Sequence, residues 1–284
     1  MNLYYAFGGG LGHLTRAAAF IYTLGFHQDQ FIIISSSEYA EIVFKKHQII
    51  KISEDYYSKP FELRFLIEKY IKELHIDNFY IDSFPVGIAG ELNGLRTNGC
   101  KINYIARYLK WNNYYPYIES ALYFDNTFIV DFLAIEQLAF VNETSKNIRH
   151  LNLREPPTKN YNFVEKILAK LAGNIWLIAH CGNLNEIKTL YRHSKEIADL
   201  LKNTPKYLII SQLENIAIDS DVQYLKYFPA SDFFPFVDRI FTACGFNTMR
   251  QTLQYANKHI CIPFERRFDD QYMRARQRQN ISKT

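Results

Sequence analysis

Short, wholly apolar runs alternate along this chain with longer stretches in which apolar residues recur every three or four positions. The first pattern is that of strands buried on both faces, and the second that of the helices covering them. Strands are predicted at Asn2–Phe7, Phe31–Ile34, Ile49–Ile52, Asn78–Ile81, Ile102–Ala106 and Phe128–Val130. Helices are predicted at Leu11–Leu24, Glu38–Lys46, Pro60–Leu74, Val86–Leu95 and Phe132–Phe140, the third opened by a proline in its first turn. The rhythm lapses between Asn142 and Asn160, a polar segment carrying Pro156-Pro157, and then restarts. Beyond it come strands at Ile175–Ala179, Tyr207–Ile210, Val222–Tyr227, Arg239–Thr242 and His259–Ile262. Helices are predicted between them at Phe163–Leu171, Asn185–Leu201, Phe233–Val237 and Thr248–Ala256.

Such alternation predicts an α/β protein of two tandem Rossmann-like domains with parallel sheets, at residues 1–150 and 151–284, with a ligand cleft between them. Its 284 residues leave room for two cores, and the 48% apolar content, with 22 Phe and 21 Tyr, excludes a disordered chain. A net charge of +4 with no basic stripe and no reading motif argues against nucleic acid as a partner. The four cysteines, at 100, 181, 244 and 261, have the spacing of neither a zinc site nor a disulfide framework. The chain runs straight into a strand without a signal peptide and has no apolar run long enough to span a bilayer. The expectation is a cytoplasmic protein.

Two glycine turns carry the chemistry. The first, Gly8-Gly9-Gly10-Leu11-Gly12-His13, lies between the first strand and helix, where glycines let a ligand approach the backbone. A dinucleotide site is disfavoured, because His13 stands at the third glycine position and the second strand ends in serines rather than a ribose-binding acid. No Gly-Lys-Ser or Gly-Lys-Thr follows, so it is not a P-loop. The second turn, Cys244-Gly245-Phe246-Asn247-Thr248, opens a helix whose first N–H groups, with the Thr248 hydroxyl, suit a diphosphate. One strand and loop later, Asp269-Asp270-Gln271 is expected to return to the same sheet edge, where carboxylates and an amide suit sugar hydroxyls. A phosphate site beside a hydroxyl-reading site describes a nucleotide sugar.

The Gly8–Arg16 segment resembles the G-G-x-x-G-H loop of GT-B glycosyltransferases, especially the family 28 type that includes the UDP-N-acetylglucosamine transferase of peptidoglycan synthesis. Gly245-Phe246-Asn247-Thr248, Ile262-Pro263, Asp269-Asp270-Gln271 and Arg274-Ala275 resemble that group's donor half. Asp82-Ser83-Phe84-Pro85-Val86-Gly87 with Gly90-Glu91-Leu92 resembles the acceptor domain of its relatives. The resemblance implies inverting, metal-independent transfer of a sugar, UDP-linked, to an acceptor hydroxyl, with no cofactor and no resident metal. It implies an N-terminal acceptor domain and a C-terminal donor domain. His13 would be the general base or an orienting group. Asp82 would accept a proton or orient His13, and reads equally as a helix cap. Gly9, Gly10, Gly12 and Arg16 would form the acceptor-side loop. Gly182, Asn183, Gly245, Asn247, Thr248, Gln251, Asp269, Asp270 and Gln271 would face the donor. Glu91 reads as a helix-face residue or an acceptor contact.

The pattern has departures. Gln251 stands where relatives carry Glu, Asp270 replaces Glu, and His180-Cys181-Gly182-Asn183 replaces a glycine and serine loop. The chain stops soon after Arg278, so the closing C-terminal helix is expected short or absent. The aromatic stretch from Tyr104 to Phe124 reads as core or as an acceptor platform that, with Arg107 and Lys110, could rest on the inner face of a membrane. Arg266, Arg267, Arg274, Arg276 and Arg278 read as a solvated face with one or two arginines reaching donor phosphates. Expected partners are a nucleotide-sugar donor and a glycan, lipid-linked or small-molecule acceptor, in cell-surface glycan synthesis. A non-catalytic sugar-nucleotide-binding or scaffold subunit, and a nucleotide-sugar 2-epimerase, stay open as alternatives.

Overall fold

The computed structural model describes residues 1–97, 99–157, 160–214, 218–220 and 222–281. Thr158 and Lys159, part of the polar segment singled out from the sequence, lie outside them. The chain divides into two compact units. One holds Met1–Pro156 together with Arg267–Asp270, and the other Pro157–Arg266 together with the residues from Gln271 on.

The first unit is built on seven parallel strands: β1 (Asn2–Tyr5), β2 (Phe31–Ser35), β3 (Ile49–Lys51), β4 (Asn78–Asp82), β5 (Lys101–Ala106), β6 (Asn126–Ile129) and β7 (Ile148–His150). Their order is β3-β2-β1-β4-β5-β6-β7, so the direction of winding reverses between β1 and β4. Helices α1 (Leu11–Thr23), α2 (Ala40–Val43), α3 (Pro60–Glu73), α4 (Trp111–Tyr114) and α5 (Ile135–Thr144) accompany the sheet. Its strands are apolar on both sides: Leu3, Tyr4, Ile33, Ile34, Phe79 and Ile81 are all fully buried.

The second unit has five parallel strands: β8 (Ile175–Ala179), β9 (Lys206–Ile210), β10 (Val222–Leu225), β11 (Arg239–Ala243) and β12 (His259–Ile262). Their order, β10-β9-β8-β11-β12, repeats the reversal, here between β8 and β11. Its helices are α6 (Tyr161–Leu171), α7 (Leu184–Leu200), α8 (Phe246–Gln251) and α9 (Gln271–Ile281). One core cluster holds Val164, Leu177 and Phe233, and another holds Trp176, Ile187 and Phe241. All four cysteines are free.

Several elements differ from the sequence pattern. Val86–Leu95 has helical apolar spacing but forms consecutive turns, because Gly87, Gly90 and Gly94 take φ of 83°, 78° and 68°. The turns close around Glu91, whose carboxylate accepts from the backbone N–H groups of Ile88 and Ala89 and from the Tyr5 hydroxyl at 2.6 Å. Glu91 is therefore buried rather than on a helix face. The Glu38–Lys46 helix shrinks to α2, and the helix expected at Phe132–Phe140 starts later, as α5. Strand β7 lies within the polar segment: all three of its residues are exposed, so no apolar pattern marks it.

The aromatic stretch is mostly core. Tyr104, Trp111, Tyr114 and Phe124 are buried, while Tyr115 and Tyr123 face solvent. Arg274 and Arg278 are buried, not on a solvated face. Arg278 donates to the carbonyl oxygens of Met249 and Thr252 and so caps the last turn of α8, fixing α9 against it. A C-terminal helix of 11 residues is thus present.

Candidate functional site

In an open parallel sheet, ligands bind beyond the carboxyl ends of the strands where the winding reverses. In the first unit that point lies between β1 and β4. The β1–α1 turn brings His13 there, and β4 ends on Asp82. His13 Nδ1 lies 2.5 Å from Asp82 Oδ2. Asp82 is fully buried at its side chain, whereas the His13 side chain keeps 15% of its exposure.

The carboxylate is held from three further directions. Arg16 Nε donates to Oδ1 at 2.7 Å and Arg16 Nη2 to Oδ2 at 2.5 Å, while the Tyr4 hydroxyl donates to Oδ1 at 3.0 Å. Arg16, expected in an acceptor-side loop, is buried inside α1 with its guanidinium turned to Asp82. The arginine and histidine contacts outweigh the cost of burial and hold Asp82 well below the usual carboxylate range. An ionised carboxylate only accepts, so Nδ1 carries the imidazole proton and Nε2 the lone pair. Burial lowers the His13 pKa below its ordinary value; Asp82 pulls it up, and Arg16 and Arg107 push it down again. The ring lies over the glycine turn: at Gly8, φ 154°, a Cβ would stand 2.8 Å from His13 Cδ2. Only glycine leaves that room.

Ser83 follows Asp82 in a left-handed backbone conformation, φ 68°, unusual outside glycine. Its surroundings over-determine it. Its hydroxyl accepts from Arg16 Nη2 at 2.6 Å and Arg107 Nε at 3.0 Å, and its carbonyl accepts from the Tyr104 hydroxyl. Arg107 in turn donates to Asp269 Oδ1 at 2.9 Å. The network thus runs His13–Asp82–Arg16–Ser83–Arg107–Asp269. Sequence reasoning missed the parts of Tyr4 and Ser83; the polar Ser83 before Phe84-Pro85 at a strand end was the available signal.

Asp269 and Asp270 were expected beside the second glycine turn. The structure counts them with the first unit, where Phe268 packs on Phe84, Tyr114 and Tyr117. Gln271 is buried and spends its Oε1 on the Phe264 N–H at 3.0 Å.

In the second unit the corresponding reversal point lies between β8 and β11. Gly245 is the N-cap residue of α8; Asn247 and Thr248 lie in its first turn and Gln251 ends it, and all four are partly exposed. After β8, Asn183 caps α7, its Oδ1 accepting from the Glu186 N–H at 3.0 Å. Beside it, Glu186 binds Arg266 with both oxygens, at 2.7 and 2.6 Å, and meets His180 Nε2 at 2.6 Å. Gly182 sits against this trio, where a Cβ would collide with the His180 ring. Burial lowers the His180 pKa, with Glu186 opposing. Glu186 was not anticipated; an acid three residues after an Asn helix cap was its signal. Among the described residues no group of three or more His, Cys, Asp or Glu side chains is placed to hold a metal ion. Among them, too, no helix is long and apolar enough to cross a membrane.

No known family model matches this sequence, and no curated protein does so. Solved structures do match the fold. The UDP-GlcNAc 2-epimerase from Neisseria meningitidis, bound to UDP-GlcNAc, is similar with a TM-score of 0.61 and 11% identity, over 98% of this chain and 85% of that one. The glycotransferase of kitacinnamycin gives 0.60 and 10%, over 99% and 84%. Phytolacca americana UGT2, complexed with UDP-2fluoro-glucose and pterostilbene, gives 0.55 and 11%, over 97% and 82%. The chain therefore has the GT-B fold, with two Rossmann-like sheets. Its neighbours include both glycosyltransferases and epimerases and do not single out family 28.

Proposed function

We propose that this chain is an inverting, metal-independent glycosyltransferase that moves a sugar from a nucleoside diphosphate sugar, UDP-linked, to an acceptor hydroxyl. The observation that carries this reading is the His13 imidazole, held by a buried carboxylate with its Nε2 lone pair over a glycine turn at the reversal point of the first sheet. The acceptor oxygen attacks the anomeric carbon, and its proton passes to Nε2. The bond from that carbon to the diphosphate oxygen breaks on the opposite face, giving inversion. Asp82 stabilises the imidazolium that forms. The first unit supplies this acceptor chemistry.

The second unit supplies the donor site. The N–H groups opening α8, with Asn247, Thr248 and Gln251, serve the nucleotide diphosphate, and Arg266 and His180 stand at the neighbouring β8–α7 turn. Charge developing on the leaving diphosphate falls to these N–H donors and to the Arg266 guanidinium. The work on the acceptor side is done by His13 and Asp82, with Gly9, Gly10 and Gly12 keeping the loop open.

A thermal-shift screen of UDP, GDP, dTDP and CMP with their sugars, with and without magnesium, tests the donor half. Ligand at a hundred times its Kd adds about 2.7 kcal/mol of stability. A selective, magnesium-independent shift lost in Asn247→Ala supports the reading. Incubation of the stabilising nucleotide sugar with acceptors then separates transfer from epimerisation, which needs no acceptor, and from binding alone. Absence of any shift from folded protein overturns it.

A further inference from the structure

Two cysteines of the second unit play no part in the reading above. Cys244 follows β11 and stands directly before Gly245, the N-cap of α8, while Cys261 lies inside β12. The two strands are parallel neighbours, with Thr242 opposite Cys261 and Ala243 opposite Ile262. Residues paired in such a ladder point to one side of the sheet, and so do residues two apart along a strand. Thr242, Cys244, His259 and Cys261 therefore share a face. On that face Thr242 Oγ1 meets His259 Nε2 at 2.8 Å.

The register brings the two thiols into contact: the Cys244 S–H donates to the Cys261 sulfur. Helix α9 lies over them. Its buried Arg278 meets His259 Nδ1 at 3.2 Å, and the same guanidinium charge acts on Cys261. The bond from Cys244, and then Arg278, hold the Cys261 thiol below its ordinary pKa against the effect of burial, whereas donating that bond pushes Cys244 up. Exposure divides the pair in the same sense. Cys261 is partly exposed, and Cys244 is fully buried. An oxidant thus reaches the sulfur that ionises more readily and finds a second thiol against it. That combination marks a sensing cysteine beside its resolving cysteine. Cys100 is the contrast: its thiol turns to the Lys101 carbonyl at 3.6 Å, and burial pushes its pKa up to about 11.

We infer that Cys261 and Cys244 are a peroxide-reactive pair whose disulfide displaces the N-cap of α8. The Cys261 thiolate attacks one peroxide oxygen, the O–O bond breaks, and hydroxide leaves with a proton as water. The Cys244 sulfur then attacks the resulting sulfenic acid; the S–O bond breaks, the S–S bond forms, and a second water carries off the thiol proton. Two sulfurs are oxidised and one peroxide is reduced. A disulfide holds its sulfurs about 2.05 Å apart, much closer than hydrogen-bonded thiols. Cys261 is fixed within the β12 ladder, whereas β11 ends at Ala243, so Cys244 is the partner that moves. Gly245 moves with it, and the Met249 N–H, which donates to the Gly245 carbonyl at 2.9 Å, registers the shift.

Hydrogen peroxide added to the full chain tests this, followed by thiol alkylation, peptide mapping and amide hydrogen exchange. We expect a linked Cys244–Cys261 peptide and exchange at Met249 about tenfold faster or more. Dithiothreitol should reverse both. Cys261→Ser should show neither; Cys261→Ala gives the same reading where the serine variant fails to fold. Cys244→Ser should leave a sulfenic acid at Cys261, captured by dimedone. No linked peptide, a link through Cys100 or Cys181 instead, or unchanged exchange at Met249 in the linked chain overturns the inference. The bond does not depend on the transferase reading. Nucleotide binding without the linked peptide removes only the thiol pair, and the linked peptide in a chain that binds no nucleotide removes only the transferase.

Discussion

Arg16 grips both oxygens of Asp82, Nε on Oδ1 at 2.7 Å and Nη2 on Oδ2 at 2.5 Å, while the same carboxylate holds His13 Nδ1. One negative charge is thus shared between a permanent cation and an imidazole. The consequence is a base that is held by an acid yet stays neutral at rest: burial and Arg16 push the His13 pKa down against the pull of Asp82. An unneutralised aspartate would favour an imidazolium, which cannot accept a proton.

Arg16→Met removes that balance. The His13 pKa then rises, and the acid limb of the pH–kcat/KM profile, placed below about 6.5 in the wild type, moves to higher pH. The buried carboxylate left with fewer partners costs about 3–5 kcal/mol of stability, read from urea denaturation. An acid limb that stays put or moves down counts against a proton-accepting role for His13.

Asp82→Asn takes away the acceptor that fixes the imidazole tautomer. We expect kcat to fall by roughly 10²–10⁴ while nucleotide binding, measured by thermal shift, keeps its wild-type affinity. Stability falls as well, since the amide cannot accept from Arg16, His13 and Tyr4 as the carboxylate does. Activity is therefore compared well below the melting temperature of the variant.

The two sheets were legible because strands buried on both faces must be apolar throughout, as Phe31–Ser35 and Ile175–Ala179 are. The proximity of His13 and Asp82 was also legible, since both sit at strand ends of one parallel sheet. What each polar side chain binds was not. The family resemblance groups Arg16 with the acceptor-side loop, but α1 turns it inward to a carboxylate 66 positions away. Asp269 sits in a donor-like motif and pairs with Arg107, 162 positions earlier. Gln271 turns its Oε1 to a backbone N–H, and Arg278 divides its guanidinium between backbone carbonyls and the His259 ring. Such partners are chosen by tertiary packing, which local periodicity does not encode. Val86–Leu95 shows the reverse error: the apolar spacing is helical, and only the glycines betray the turns.

Gly87→Ala tests those turns. Gly87 has φ 83°, and a Cβ there would run into the Glu91 carboxylate. The backbone strain and the displaced hydrogen bonds together should cost about 1–3 kcal/mol, visible as a lower urea midpoint. A midpoint unchanged from wild type would show that Glu91 is free to move, contrary to its bonds with Tyr5, Ile88 and Ala89.

His259 sets a pH dependence of stability. Burial, and then the Arg278 charge, lower its pKa to about 3. Its ring bridges Thr242 Oγ1 at 2.8 Å and Arg278 Nη1 at 3.2 Å, so Nδ1 accepts from the guanidinium and Nε2 carries the proton. Because the native value lies below the unfolded one, near 6.5, the unfolded chain binds the proton first on acidification. The stabilisation is complete above about 6.5 and is lost as pH falls toward 3, on the order of 5 kcal/mol in full. The buried and part-buried His13 and His180, also lowered, act in the same direction. Between pH 6 and pH 4.5 Glu91, whose pKa burial raises, titrates as well, so the histidine's share is read as the difference between wild type and variant in urea denaturation across that window. His259→Gln can keep both bonds without titrating and should flatten the slope. An equally steep slope in this variant would place the acid sensitivity elsewhere.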